Sequence, residues 1–128
     1  SGQYSAAELL PGPINTPGDE TGPCIARDGS YLIYTGNGGS TMYITFRNPD
    51  QSWSRPLNLS RHLGMTSPGK FAGLSPDGRY LFFVVPESDE ANRRLGRIWE
   101  IDPFRGARSR YGAGNVYWVD ASCLDTLR

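Results

Sequence analysis

Short apolar segments separated by turn-forming residues run through most of this chain. Two of them, YLIYT at residues 31–35 and YLFFVV at residues 80–85, each lie just after an Asp-Gly pair. Asp-Gly between two apolar segments indicates a tight β-hairpin, because Asp bonds to its own backbone and Gly accepts a positive φ. The pattern therefore predicts hairpins that join residues 24–27 to 31–35 and residues 73–75 to 80–85.

The chain also matches itself at an offset of 49 residues. The motif DGSYL at residues 28–32 recurs as DGRYL at residues 77–81. The same shift places Leu10 on Leu59 without a gap. One offset that serves separated segments indicates an internal repeat of a small structural unit.

Each unit is expected to be a four-stranded antiparallel sheet. In the first unit, residues 41–47 and 53–59 follow the hairpin as third and fourth strands, with turns rich in Gly, Asn and Pro before them. The second strand of each unit does not alternate apolar with polar residues, so both of its faces should be covered. Small sheets stacked face to face, as in a β-propeller, meet that requirement. An immunoglobulin-like sandwich is the alternative, although it would leave one face of each strand polar.

Several motifs resemble the repeat of WD40-like (PD40) propellers, the family related to the periplasmic protein TolB. They are GPINT at residues 12–16, DGSYL at 28–32, WSRPLNL at 53–59, LSPDGRYLFF at 74–83 and GNVYWVDA at 114–121. The resemblance implies an all-β chain of about two propeller blades and export to the periplasm or beyond, with a cytoplasmic location left open. It also implies that a leader has been removed. Ala26-Arg27 stands where the family has Ser-Pro, which loosens the first turn without forbidding it.

On this basis the chain divides into three parts. Residues 1–22 are a closing strand and linker, residues 23–60 the first blade, and residues 61–128 the second blade with an insert at about 86–114. The insert follows from matching Val116-Tyr117 to Met42-Tyr43, an offset of 74, which leaves about 25 extra residues in the second unit. Residues 98–101 are either an added strand or the third strand of this blade.

Two blades are too few for a closed propeller, which typically has about 4 to 8. Stacked sheets with apolar outer faces tend to associate. We therefore expect a homo-oligomer that completes a ring, with a fragment of a longer protein and a self-covering pair of blades as alternatives. Residues 4–10 resemble a blade's last strand and are expected to complete the C-terminal sheet, in the same chain or in a neighbouring one.

The insert carries the one marked charge asymmetry of the chain. Its arginines and interleaved aromatic residues suggest a partner contact, a site for an anionic ligand or a solvated loop whose arginines pair with the acids just upstream. The residues selected as partner-binding candidates are Arg93, Arg94, Arg97, Trp99, Arg105 and Arg108.

Catalytic and metal-binding motifs give weaker signals. His62 is the only histidine, and Cys24 and Cys123 lack the spacing of a zinc site, so no cofactor or metal is expected. The cysteines are expected to be small buried residues, with the possibility of a disulfide bridge between them left open.

Asp28 and Asp77 can be calcium ligands, but a role as turn formers with Gly29 and Gly78 explains them better. Glu100 and Asp102 lie two apart and share a face if they are on a strand, a weak candidate for acid and base catalysis of glycoside cleavage.

Composition narrows the class of partner. The 16 Gly and 10 Pro disfavour long helices, and the 13 basic residues balance the 13 acidic ones, so nucleic acid is not expected as a partner. The apolar runs are far shorter than the roughly 20 residues of a membrane span, which excludes a membrane protein and an uncleaved signal peptide.

These observations favour a non-enzymatic module that binds a protein or ligand, including carbohydrate. The alternatives are a propeller hydrolase or lyase that acts on carbohydrate, and a non-catalytic portion of a larger protein.

Overall fold

The computed structural model describes residue 2 and residues 4–65, 69–86 and 114–128. In these residues the chain is mostly β and forms two antiparallel sheets. Sheet 1 has the order β1-β2-β3-β4, with strands at Thr21–Ile25, Tyr31–Gly36, Thr41–Phe46 and Leu57–Asn58. Sheet 2 has the order β5-β6-β7, with strands at Lys70–Leu74, Tyr80–Pro86 and Gly114–Asp120. The all-β character expected from the sequence is confirmed.

Two short helices accompany the sheets. Helix α1 (Leu59–His62) begins after Asn58, whose side chain accepts the Arg61 N–H at 2.8 Å and so caps the first turn. A 3-10 helix (Ala121–Leu127) follows β7, and Asp120 caps it through the Ser122 N–H. Neither these nor any other helix within the described ranges has the length and apolar character needed to cross a membrane.

The two predicted hairpins are present and have the same geometry. In the first, the Gly29 N–H donates to the Ala26 carbonyl at 2.8 Å, and in the second the Gly78 N–H donates to the Ser75 carbonyl at the same distance. Gly29 and Gly78 have φ of 72° and 73°. The missing Ser-Pro of the first turn therefore does not alter its fold.

The sheets also repeat an irregularity ahead of each hairpin. β1 and β5 each shift register against the next strand, between Thr21 and Cys24 and between Lys70 and Gly73. Gly22 and Phe71, which are equivalent at the offset of 49, both have positive φ, of 58° and 54°. A bulge is thus part of the repeated unit.

The third strand of sheet 2 lies where the offset of 74 predicts it. Tyr43 pairs with Tyr34, and Tyr117 pairs with Phe83, the equivalent of Tyr34. The extra residues of the second unit therefore fall between β6 and β7, whose last paired residues are Pro86 and Gly114. Residues 98–101 lie outside the described residues.

Each sheet has two faces that the repeat makes equivalent. We call "front" the face that carries Tyr31, Ile33, Thr35, Met42, Ile44 and Phe46 in sheet 1, and Tyr80, Phe82, Val84, Val116 and Trp118 in sheet 2. We call "back" the face that carries Ile25, Leu32, Tyr34 and Tyr43 in sheet 1, and Leu74, Leu81, Phe83, Tyr117 and Val119 in sheet 2.

The main core lies between the front of sheet 1 and the back of sheet 2. Ile33, Met42 and Ile44 from the first pack in one buried cluster with Leu81 and Phe83 from the second. Residues of α1, the following turn and the 3-10 helix complete this cluster. At roughly 1.5–3 kcal/mol for each fully buried aliphatic or aromatic side chain, this contact dominates the stability of the chain.

The back of sheet 1 is covered by the chain that precedes β1. Ile14 is buried against Leu32 and Tyr34, with Tyr43 and Trp53 packed around them. Both faces of β2 are thus covered, as the sequence predicts. In sheet 2, Phe82 on the front of β6 is 39 % exposed and Val116 beside it on β7 is 70 % exposed, so the described residues leave this face without full cover.

Two strand predictions also differ from the structure. Within residues 53–59, Trp53 makes an isolated bridge to Arg47, and only Leu57–Asn58 form a strand, because Pro56 lacks an N–H and Leu59 already begins α1. Residues 4–10 contain no strand in this structure, and Tyr4 is 99 % exposed. This segment precedes Ile14, which is buried against the back of sheet 1.

The equivalence of the two turns can be tested by substitution. We expect Gly29→Ala and Gly78→Ala each to lower the free energy of unfolding by about 1 kcal/mol, since an L-residue is strained at positive φ. An added Cβ meets no atom closer than 3.8 Å at Gly29 and none within 4 Å at Gly78, so backbone strain alone sets the cost. Urea denaturation measures it. Gly73→Ala, at a position without positive φ, is the control, and equal stability of all three variants would contradict the prediction.

Candidate functional site

The predicted partner-binding residues cannot be placed in the fold. All of them lie between residues 87 and 113, outside the described residues: Arg93, Arg94, Arg97, Trp99, Arg105 and Arg108. Glu100 and Asp102 lie in the same interval. The structure fixes where this interval is attached, at the ends of β6 and β7.

The turn residues hold their own hairpins. The Asp28 carboxylate accepts the Ser30 N–H at 3.0 Å, and the Asp77 carboxylate accepts the Arg79 N–H at 3.1 Å. Asp77 also accepts the Ser75 hydroxyl. These hydrogen bonds hold the pKa of Asp28 and Asp77 below the ordinary value, because they favour the ionised carboxylate.

A cleft of about 500 Å³ lies between the two turns. Its lining includes the acidic Asp28 and Asp77 and the basic Arg27 and Arg128. Arg128 is already engaged, since its guanidinium donates to the Ser30 hydroxyl at 2.8 Å and lies 6.0 Å from the centre of the Tyr31 ring. The cleft therefore offers balanced charge and carboxylates satisfied by their own turns, a lining that selects no single class of ligand.

The remaining candidate groups for chemistry are dispersed. His62 Nε2 lies 3.4 Å from the Cys123 carbonyl and from the Thr126 hydroxyl, contacts that join α1 to the 3-10 helix. Cys24 and Cys123 are both half-buried free thiols, which answers the open question of a bridge, and burial raises the pKa of each. In the part of the chain that the structure describes, no group of three or more His, Cys, Asp or Glu side chains has the arrangement of a metal site.

The front of sheet 2 carries an exposed group of apolar side chains in the part of the chain that the structure describes. Phe82 and Val116 are exposed, and Val84 and Trp118 are half-buried. Trp118 packs edge to face on Tyr80, with 4.9 Å between ring centres, so the aromatic side chains are held in place. Apolar residues that cluster on one face of a soluble protein mark an interaction surface.

The repeat shows what such a face is built to contact. At the offsets of 49 and 74, Phe82 is equivalent to Ile33 and Trp118 to Ile44. Ile33 and Ile44 are fully buried, because the back of sheet 2 covers them. The same kind of face is thus covered by a sheet in the first unit and exposed in the second.

The opposite end of the molecule has the matching surface. On the back of sheet 1, Leu32, Tyr34 and Tyr43 are equivalent to Leu81, Phe83 and Tyr117 on the back of sheet 2. Ile25 on this face is 54 % exposed, whereas its equivalent Leu74 packs against the core between the sheets. Tyr34 on this face is already buried under Ile14, and burial, together with Glu20 and Tyr43, raises its pKa to about 12.

Comparisons with protein-family models, with curated proteins and with solved structures found no match for this chain. The candidate surface therefore depends on the internal repeat alone. The sequence carries the apolar residues of this surface, but only the stacking of the two sheets shows which face of each strand is covered. The sequence nevertheless indicated an exposed apolar face, since the strands of sheet 2 are apolar on both faces and the described residues supply one sheet to cover them.

The turn carboxylates predict a dependence of stability on pH. A carboxylate whose pKa is lower in the folded chain than in the unfolded chain stabilises the fold. This stabilisation is complete above the unfolded pKa of about 3.9 and is lost as the pH falls through the folded pKa. We therefore expect Asp77→Asn to flatten the loss of Tm that the native chain shows as the pH falls below about 4. Thermal unfolding followed by circular dichroism from about pH 6 to 2.5 measures this. Asp19→Asn, at an exposed carboxylate outside the two turns, is the control and should keep the native profile.

Proposed function

We propose that this chain is a non-enzymatic interaction module whose two sheets are propeller-type blades, and that further copies of the chain stack on them to complete a ring. The observation that carries the proposal is the head-to-tail contact inside the chain. The front of sheet 1 is covered by the back of sheet 2, and the equivalent front of sheet 2 is exposed. The partner is a second copy, because the back of sheet 1 repeats the sequence of the face that fits such a front. Ile14 covers Leu32 and Tyr34 on this back, and Ile25 is left 54 % exposed for the contact.

The geometry of this contact determines what assembles. A front that meets a back is a heterologous interface, which produces a closed ring if the rotation closes and an open chain of molecules if it does not. Propeller rings of about 4 to 8 blades correspond to about two to four copies of a two-blade chain. The neutral net charge gives no long-range repulsion between copies.

Residues at both ends are in position for the contact. Val116 stands on the open front and Ile25 on the open back, at 70 % and 54 % exposure. Ile14 already lies on the back of sheet 1, where it fills the space beside Leu32 and Tyr34. The equivalent of Ile14 is Leu63, which packs at the edge of the core between the sheets. The position of Ile14 therefore supports a role for the N-terminal segment in the interface that a second copy would complete.

Charge substitutions on the two faces test this proposal. We expect Val116→Arg and Ile25→Arg each to weaken self-association at least tenfold, because each would bury an unpaired charge in an apolar contact. Sedimentation velocity over a range of micromolar concentrations measures the association. Leu57→Arg is the control, since Leu57 is an exposed strand residue of sheet 1, 40 % exposed, on neither open surface.

Mixing the two variants gives the more specific result. Val116→Arg retains an intact back and Ile25→Arg an intact front, so the mixture should form a 1:1 complex that grows no further. A native chain that stays monomeric over this range would overturn the proposal. So would a mixture that remains monomeric while the native chain assembles, because the interface would then not join front to back.

A further inference from the structure

Sheet 2 has one strand fewer than sheet 1 among the described residues. In sheet 1, β3 is followed at its outer side by β4, where Asn58 pairs with Tyr43 and Leu57 with Ile44. In sheet 2 the order ends at β7, the equivalent of β3. An open strand edge presents backbone N–H and C=O groups that can pair with another segment.

The repeat identifies a segment of the required kind. At the offset of 49, residues 4–10 are the equivalent of residues 53–59, so Glu8 corresponds to Leu57 and Leu9 to Asn58. Residues 4–10 are exposed along their length, and Leu9 is 88 % exposed. Residues 4–10 are thus the counterpart of a fourth strand, and in the described part of the chain they pair with no other strand.

The position of the segment determines which sheet it can reach. Ile14 holds the preceding chain on the back of sheet 1, whereas sheet 2 lies against the front of sheet 1. Residues 4–10 therefore precede a segment that lies on the back of sheet 1, the face opposite to the one that sheet 2 covers. In a head-to-tail assembly, that side is where the sheet 2 of a second copy stands.

We propose that residues 4–10 of one copy pair with β7 of a second copy as the fourth strand of its sheet 2, with Leu9 opposite Tyr117 and Glu8 opposite Trp118. This inference rests on the proposed head-to-tail assembly. The register is the one that β4 has on β3, transferred by the offsets of 49 and 74. Main-chain hydrogen bonds join the copies, and the stacked faces supply the apolar contact.

Cross-linking tests both the partner and the register. In a chain that carries Cys24→Ala and Cys123→Ala, one sample carries Leu9→Cys and another Tyr117→Cys. On mixing and mild oxidation, we expect a disulfide-linked dimer that joins one chain of each kind. Ala7→Cys in place of Leu9→Cys is the matched control, because residue 7 is on the same side of an extended strand but displaced by two positions. It should give about tenfold less mixed dimer, since the register places residue 9 opposite Tyr117.

Hydrogen exchange on the unaltered chain gives an independent readout that needs no substitution. We expect the amides of residues 5–9 to exchange at least tenfold more slowly in the assembled sample than in the dilute one, while the amides of the turn at residues 48–51 do not change. Protection confined to the assembled state supports the added strand.

The outcomes separate this inference from the proposed function. If the chain assembles, but Leu9 and Tyr117 do not cross-link and residues 5–9 stay unprotected, the strand exchange is wrong and the stacking stands. If a chain that carries both cysteines links within itself at high dilution, the second copy is wrong as the partner. If no assembly forms at any concentration, the proposed function fails, and this inference fails with it.

Discussion

The structure depends on one contact, the burial of the front of sheet 1 against the back of sheet 2. Each sheet alone has too few strands to protect its apolar residues from water. Ile33, Ile44 and Met42 are almost completely buried in the cluster that they form with Leu81, Phe83 and the residues of the short helices. The bulges, the turns and the short helices arrange the backbone so that this contact can form.

This contact joins two different faces, a front and a back, so the two outer faces of the pair of sheets also differ from each other. A sheet that packs its front on a neighbour's back leaves one front and one back unsatisfied at the ends of any finite stack. In this chain, Phe82 and Val116 lie on the unsatisfied front and Ile25 on the unsatisfied back. The N-terminal segment covers part of that back with Ile14. A symmetric sandwich of two sheets would instead leave two outer faces of the same kind.

The repeated parts of the fold could be predicted from the sequence because their physics is local. Asp28-Gly29 and Asp77-Gly78 specify a turn through a side-chain hydrogen bond and a positive φ, and both act within four residues. The match of Tyr117 to Tyr43 made residues 114–121 one of two candidates for the third strand of sheet 2, beside residues 98–101, and the pairing of Tyr117 with Phe83 shows that β7 fills this place.

Other features depend on contacts that no local pattern records. The sequence does not show that the strand predicted over residues 53–59 is reduced to Leu57–Asn58, since the limit is set by Pro56 and by the helix that Asn58 caps. Nor does it show that residues 4–10 stand apart from the sheets. The exposure of Val116 also depends on which face of sheet 2 meets sheet 1, a property of the packing of the two sheets and not of one strand.

The pairing of Pro86 with Gly114 has a consequence for how this protein can change over evolution. These two residues face each other across one rung of sheet 2, so the ends of the intervening stretch are fixed at a hairpin's spacing. The entropy lost in closing a loop grows only with the logarithm of its length, so a longer or shorter stretch costs sheet 2 little. This junction can therefore accept new sequence while the paired ends of β6 and β7 keep their geometry.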